Sequence, residues 1–486
     1  MKLQNTPASG SAAVTIGTLP CAVGFALLLA SGTALGQTPT TARSGASAAT
    51  PHTLADALAA AYATNPTLLT ERARLRATDE DVPQALAGWR PSVTLGGSAG
   101  YVNGSTTESH VTLGENRDLL TEQATVTQPL YTGGKTAAQL HRAENSVLAE
   151  RATLINTEQT VFANVINAYV TVIEDQQLVA LNNSNVQVLQ RQLQATNDRF
   201  RVGEITRTDV AQAEASLASA VAQQATAVGN LSASRATYLQ YVGFDPENLV
   251  PPQPLALPIK SQDEATQMAQ VNNPAVISAA FSNAASKDAI DVAFAALLPT
   301  VSVQGQAFRQ DNPQSRAIRE TGQEVLLQLS VPLYQGGGEY ATIRQARQTE
   351  QQTRKTLDDQ RRQATQQAAN AWQNLIAARS TIISDQAAIR ANEIAVDGVE
   401  REALLGSRTT LDVLNAEQTL LQARTTLVQN LAALVTDSYA VAQAIGRLTA
   451  HDLNLPVNYY DETAYYKEVR NRLIGTKDYA TGQPGR

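Results

Sequence analysis

Sulfur chemistry has almost no raw material in this chain: there is one cysteine, Cys21, inside an apolar N-terminal stretch. That excludes an internal disulfide framework, and removal of the stretch would leave no thiol for nucleophilic or metal-thiolate chemistry. Aromatic residues make up 5% and apolar residues 43% of the sequence, slightly short of what thick globular cores use. Ala, Gln, Thr and Asn fill the gap, a mixture suited to long helices with narrow packed seams. Basic residues are outnumbered, 37 Lys and Arg against 44 Asp and Glu, and form no dense block. The resulting net charge of −7 argues against a nucleic-acid partner. Beyond the N-terminus no segment supplies the ~18 uncharged apolar residues that a membrane-spanning helix needs.

The beginning of the chain reads as an export signal. Lys2 is followed by an apolar region culminating in "CAVGFALLLA", then by "SGTALGQT" with Ala34 and Gly36 as small residues around a cut. Pro20 and Gly24 interrupt a run already short for an anchor. Pro20 stands where a lipid-attachment cysteine normally follows a small residue, which argues against acylation of Cys21. An exported chain without a second anchor is either soluble or crosses a membrane as strands.

Internal repetition sets the architecture. "QPLYTGG" at Gln128 returns as "VPLYQGG" at Val331, and the prolines Pro129 and Pro332 lie 203 residues apart. The stretch "RFRVGEITRTDVAQAEASL" returns as "EREALLGSRTTLDVLNAEQTL", with Gly203 and Gly406 again 203 apart. Upstream, Asn65-Pro66 pairs with Asn273-Pro274 and Pro91 with Pro299 at an offset of 208. The five-residue difference falls between Pro91 and Pro129, which predicts a longer connecting loop in the first copy. Each copy reads helix, strand, strand, long helix, elbow, helix.

Between the PLY motif and the elbow, apolar residues recur every seventh position. Val165, Val172, Val179, Val186, Leu193 and Phe200 form one stripe, and Ala368, Leu375, Ile382, Ile389, Val396 and Ala403 its counterpart. A strict heptad implies a left-handed coiled coil. Beyond the elbow Val413, Leu420, Leu427, Leu434 and Val441 keep the rule, with Val210, Leu217, Leu231 and Tyr238 looser in the first copy. Ala213, Ala220 and Ala227 add an edge for close helix approach. The helix from Lys135 to Phe200 would be ~100 Å long, so the helices must lie side by side as a rod or tube. The returning helix from Asp209 to Tyr241 is shorter. The run from Asn273 to Leu298 could stack end to end with it.

After Pro91 the helical period stops. Val93, Leu95, Gly97, Ala99 and Tyr101 alternate with polar partners, as do Val301, Val303, Gly305 and Ala307, and Val325, Leu327, Leu329 and Val331. Such alternation over ~10 residues suits strands with one wet face. "NGSTTESHVTLGENRD" and "RQDNPQSRAIRETGQ" read as long hydrophilic loops between them. Two arrangements fit: a small antiparallel sheet capping a helical rod, or a transmembrane barrel whose apolar side chains meet lipid. Four strands cannot close a barrel, so the second needs several copies.

The repeated PLY-x-G-G, the Asn-Pro helix break and the twice-present elbow G-x-x-x-x-x-D-V-x-x-A-x-x-x-L resemble the TolC family of outer-membrane efflux and secretion channels. The likeness covers roughly residues 53–470. The C-terminal "NLPVNYYDETAYYKEVRNRLIG" looks like the branch associated with type I secretion. The resemblance implies a mainly α fold with a β-barrel portion, in which duplicated coiled-coil hairpins and four transmembrane strands per protomer make a 12-stranded barrel and helical tunnel as a homotrimer. It implies outer-membrane lipid, a periplasmic adaptor and an inner-membrane transporter as partners, and a passive conduit for small molecules or unfolded polypeptides. A periplasmic structural coiled-coil protein without a pore is the alternative. The chain then divides into a signal peptide (1–36), a flexible segment (37–52), a first efflux repeat (53–250), a Pro-rich equatorial connector (251–262), a second repeat (263–447) and a C-terminal equatorial segment with tail (448–486).

By the same resemblance the elbows form the periplasmic mouth. Asp412 matches the first of the family's two acidic constriction rings, and Asn415 stands where the second aspartate would be. Arg408, Thr208 and Asp209 match an inter-protomer clamp, whereas Ala403 replaces its tyrosine. The adaptor-docking tips are Val202, Gly203 and Glu204, and Leu405, Gly406 and Ser407. The residues also have plainer readings. Gly203 and Gly406 fit helix C-termini that need a left-handed residue, Asp209 and Asp412 fit helix N-caps, and Arg408 fits a solvated tip. "YTGGKT" lacks the first glycine of a phosphate loop, since Pro129 holds that place, and its second copy lacks the lysine. It reads as a helix start. "DED" at Asp79 reads as a solvated helix face. His52, His110, His141 and His451 are scattered without ligand spacing, and no constellation suggests catalysis, a metal or a cofactor.

Overall fold

The computed structural model describes residues 52–477. The export signal with Cys21, the start of the flexible segment and the extreme C-terminal tail lie outside the described residues. The chain runs α1 (Leu54–Thr64), α2 (Pro66–Asp79), α3 (Asp81–Leu86), β1 (Ser92–Glu108), β2 (Val111–Tyr131), α4 (Lys135–Arg201) and α5 (Arg207–Val242). The second copy follows as α6 (Gln262–Asn272), α7 (Pro274–Phe294), β3 (Thr300–Asp311), β4 (Arg319–Ser330), α8 (Gly338–Leu404) and α9 (Thr410–Ala444), and a short α10 (Ala464–Val469) closes the chain.

Both long helices, α4 and α8, have 67 residues, about 100 Å each. Each starts from a glycine in the left-handed region, Gly134 and Gly337. The TGG and GGG triplets are therefore helix starts, with no phosphate loop. The heptad stripe lies on the packed side. Val165, Val172, Ala368, Leu375, Val413 and Val441 are buried, and the remaining stripe residues are at least partly so, except Phe200 at 41% exposure. Burial is densest halfway along the helices. There Phe162, Ile166, Tyr169 and Tyr238 pack against α1 and the segment around Leu448 and Leu455.

The Asn-Pro breaks are structural joints. Proline cannot continue a hydrogen-bonded helix but is tolerated at its first position. Asn65 ends α1 and caps α2, its Oδ1 accepting from the Thr67 N–H at 3.0 Å while its Nδ2 donates to the Tyr241 carbonyl at 3.0 Å. Asn273 repeats this, with the Ala275 N–H at 2.9 Å and the Ala444 carbonyl at 3.3 Å. One side chain thus caps a helix start and satisfies the end of the helix abutting it. The end-to-end stacking expected between α5 and the run from Asn273 is redistributed: α2 abuts α5 and α7 abuts α9. Each copy supplies its own continuation.

The four strands form one antiparallel sheet in the order β1-β2-β3-β4. Register brings the alternating apolar positions of the four strands to the same face, while Phe308 and Leu326 fall on the other. Val93 pairs with Val126 and Leu95 with Ala124. Val126 pairs with Gly305 and Ala124 with Ala307, and Val303 pairs with Leu327 and Val301 with Leu329. That face is open: Leu95 is 86% and Val325 78% exposed. The opposite face carries Thr94, Thr125, Gln306 and Glu324 in one cross-strand row.

The first hairpin corrects the sequence reading. β1 has 17 and β2 21 residues, and the stretch taken as a long loop is mostly strand. Glu108 pairs with Val111, leaving a two-residue turn, Ser109-His110, with φ of 47° and 70°. Positive φ at both central residues is the turn geometry that suits strand twist. The extra five residues of the first copy therefore lengthen strands, and it is the second hairpin that has the longer loop. The aspartate of "DED" is a second correction. Asp79 is fully buried rather than solvated, and its carboxylate has no hydrogen-bond partner among the described residues. Burial pushes its carboxyl up to about 7 despite the opposing pull of Arg151.

Candidate functional site at the paired elbows

Helix α4 stops at Gly203, whose φ of 79° is strained for any residue with a Cβ. The Gly203 N–H donates to the Phe200 carbonyl and the Glu204 N–H to the Arg199 carbonyl, both at 3.0 Å. This crossed pair satisfies the last carbonyls of the helix. Helix α8 ends the same way: Gly406 has φ of 78°, and the Ser407 N–H donates to the Glu402 carbonyl at 3.0 Å.

The returning helices start from threonines. Thr206 caps α5 and Thr409 caps α9, with Asp209 and Asp412 as reciprocal partners three residues on. Asp209 Oδ2 accepts from the Thr206 N–H at 2.9 Å and Oγ1 at 2.7 Å. Asp412 Oδ2 accepts from the Thr409 N–H at 2.9 Å and Oγ1 at 2.8 Å. The aspartates are thus the third residues of capping boxes and not the caps themselves, a pattern readable as T-x-x-D in both copies. The Thr206 hydrogen bonds hold the Asp209 carboxyl below the usual range. The Thr409 bonds, and then the Arg408 charge, do the same for Asp412. Both stay ionised near neutral pH.

Around these turns the charges pair locally. Arg408 Nε meets Glu402 Oε2 at 2.9 Å, and Arg199 Nε meets Glu204 Oε2 at 3.1 Å. Glu402 is a partner that motif matching missed, because nothing in spacing alone singles out a carboxylate six residues upstream across a turn. Within one chain Arg408 is held by its own elbow, and Thr208 lies exposed on the other. Asn415 is exposed one turn beyond Asp412, on the same side of α9. Ala403 is buried, at 7% exposure. At the extreme tips Val202 is 72% and Leu405 86% exposed, apolar side chains that nothing among the described residues covers.

Two such hairpins, an amphipathic sheet open on its apolar face, and the duplication match a known pattern. The sequence model of the outer membrane efflux proteins covers residues 57–243 and 265–447. The chain belongs to that family. It is 33% identical over 431 residues to the outer membrane efflux protein BepC of Brucella suis biovar 1 (strain 1330), spanning 88% of this chain and 93% of that one. It is 25% identical over 292 residues to the outer membrane protein TolC of Vibrio cholerae serotype O1, spanning 58% of this chain and 65% of that one. The crystal structure of the outer membrane protein VceC of Vibrio cholerae superposes with a TM-score of 0.71 at 20% identity, over 81% of this chain and 96% of that one. That likeness fixes the fold, a helical tunnel with a barrel. As an outer membrane efflux protein the chain is a channel of the outer membrane, and its relatives are channels rather than enzymes. No helix among the described residues is long and apolar enough to cross a membrane. The open apolar face of the sheet is the surface suited to that task.

Proposed function

We propose that three copies of this chain close a twelve-stranded barrel continued by a helical tunnel, gated at the elbows. The observation that carries this reading is the sheet. β1 and β4 are unpaired edges, and one face is uncompensated apolar surface, which lipid can cover. A β4 edge meets the β1 of a neighbouring copy antiparallel, so the pairing repeats without conflict until the ring closes. Closure removes every edge, the condition for strands in a bilayer. A soluble rod without a pore leaves both the edges and the apolar face exposed to water.

The tunnel passively conducts small molecules or unfolded polypeptides from an inner-membrane transporter. A periplasmic adaptor docks on the tips, Val202, Gly203 and Glu204 and Leu405, Gly406 and Ser407, where exposed apolar side chains flank compact turns. Asp412 faces the constriction as a single acidic ring, with Asn415 a neutral second one, and threefold repetition of a charge in a narrow mouth favours cations. Arg408 reaches Asp209 and Thr208 of the adjacent protomer. Its guanidinium has five N–H donors, so Glu402 can hold one side while the clamp uses the other.

Single-channel conductance in planar bilayers tests this. Arg408→Ala and Asp209→Ala should raise resting conductance, and Glu402→Gln, by freeing the arginine for the clamp, should lower it. Unchanged conductance in all three removes the clamp from the proposal.

A further inference from the structure

The last described residues form a feature that the barrel and tunnel do not explain. Helix α10 lies on α2, which in turn lies on α4, so the C-terminal segment is a further layer on the tube wall. Beyond α10 the chain turns back toward the sheet. Arg90, two residues before β1, donates from Nη1 to the Arg472 carbonyl at 2.7 Å. Residues 472–477 then border a groove of about 410 Å³ against Glu80 and Pro83. Leu473 and Ile474 are 74% and 90% exposed, between the cations Arg472 and Lys477, with Asp478 following in the sequence. Glu80 in the groove is engaged by the Tyr465 hydroxyl at 2.8 Å.

The height of this pair along the molecule follows from its tether. Arg90 marks the end of the sheet at which all four strands join helices, where Trp89, Tyr131 and Tyr334 are also exposed, at 43%, 48% and 78%. Aromatic side chains exposed at the end of an apolar band belong to a bilayer interface. The headgroup layer on each side of the hydrocarbon is about 5–8 Å deep, comparable to the reach of the Arg90 side chain. Two bare aliphatic side chains held at that level, beside cations, suit a phospholipid surface: the apolar groups enter the acyl boundary while the stems of Arg and Lys carry charge to the phosphates.

We infer that Leu473 and Ile474, with Arg472 and Lys477, form a second lipid contact outside the barrel, seated in the inner leaflet of the outer membrane. The occupant is phospholipid, because the segment is tethered through Arg90 at the end of the barrel's lipid-facing band and carries cationic side chains that complement phosphate. The inference rests on the outer-membrane placement of the sheet but not on gating or cargo. Its consequence is mechanical: the tunnel wall is attached to the membrane through the C-terminal layer as well as through the strands.

The test uses a nitroxide on Ile474→Cys in the full chain, reconstituted into vesicles of phosphatidylethanolamine and phosphatidylglycerol. Leu327→Cys on the sheet serves as lipid reference and Leu405→Cys at the tip as aqueous reference. Oxygen enters hydrocarbon, whereas a polar nickel chelate is excluded from it. The expected result is an oxygen-to-nickel accessibility ratio at 474 severalfold above that at 405 and approaching that at 327. A ratio at 474 equal to that at 405 overturns the inference, and so does exclusion of both reagents, which would mean that a neighbouring copy covers the site. Should 327 also read as aqueous, the barrel itself is at fault.

Discussion

Adjacent residues on β1 provide a sharp test of which face of the sheet meets lipid. Leu95 is 86% exposed and shares its face with Ala124 and Ala307, while Thr94 lies on the opposite face with Thr125 and Gln306. The apolar positions of β1 run from Val93 to Tyr101, which centres the band near Gly97. Leu95 is two residues away, about 7 Å along the strand and about 5 Å in depth at a 45° tilt. An arginine at the bilayer midplane of such a barrel costs about 2–4 kcal/mol, falling toward the interface. Leu95→Arg should therefore cost ~2–3 kcal/mol per protomer, roughly 30- to 150-fold in the folded population. Thr94→Arg places the same charge on the wetted face and should cost less than ~0.5 kcal/mol. Urea unfolding in phospholipid vesicles, followed by the heat-modifiable gel shift, reads both. If Leu95→Arg unfolds at the same urea concentration as Thr94→Arg, the assignment of faces is wrong.

Three further substitutions separate backbone strain from crowding and test a buried, protonated carboxyl. Gly446 and Gly406 have nearly equal φ, 77° and 78°, but a Cβ on Gly446 would lie 2.3 Å from the Asn272 carbonyl oxygen whereas one on Gly406 meets open space. Gly406→Ala should cost ~1 kcal/mol and Gly446→Ala at least ~3 kcal/mol, measured as the shift in urea midpoint. Asp79, pushed up to about 7 by burial, keeps a proton in the folded state that the unfolded chain has already lost. Its stabilisation is thus complete below the ordinary aspartate range and disappears as pH rises through 7. The slope is about 1.4 kcal/mol per pH unit, or roughly 2–3 kcal/mol between pH 5 and 7. Asp79→Asn should remove that one-proton share of the pH dependence and leave the part due to Glu158 and Glu150, also pushed up to about 7. Equal unfolding slopes for wild type and variant across this range would refute a buried neutral Asp79.

Particular residues show why some features were legible and others were not. The glycines of the elbows and the Asn-Pro joints could be read directly because each solves a local backbone problem that few other residues can solve. The heptad could be read because helical periodicity survives without knowledge of the partner. The polar half of the first hairpin was hidden: residues 103–108 and 111–116 pair by backbone hydrogen bonds that carry no side-chain signature, and Ser109-His110 is not a turn that composition announces. Asp79 was misread for a related reason. It sits next to Glu80 and Asp81 on a polar-looking stretch, and only the packing of α2 against α4 and the C-terminal segment takes it out of water. The Arg408–Glu402 pair needed the turn to be folded before the two residues met.

Taken by itself, the order of residues determined that there are two copies, where their helices start, stop and bend, and which side of each helix or strand is apolar. Those are local properties, written in steric limits and in periods of two and seven. Which apolar sides join into one face, which helix continues which, and which carboxylates lose their water were decided only by the tertiary structure. Register, end-to-end contact and desolvation depend on groups far apart in the chain arriving at the same place.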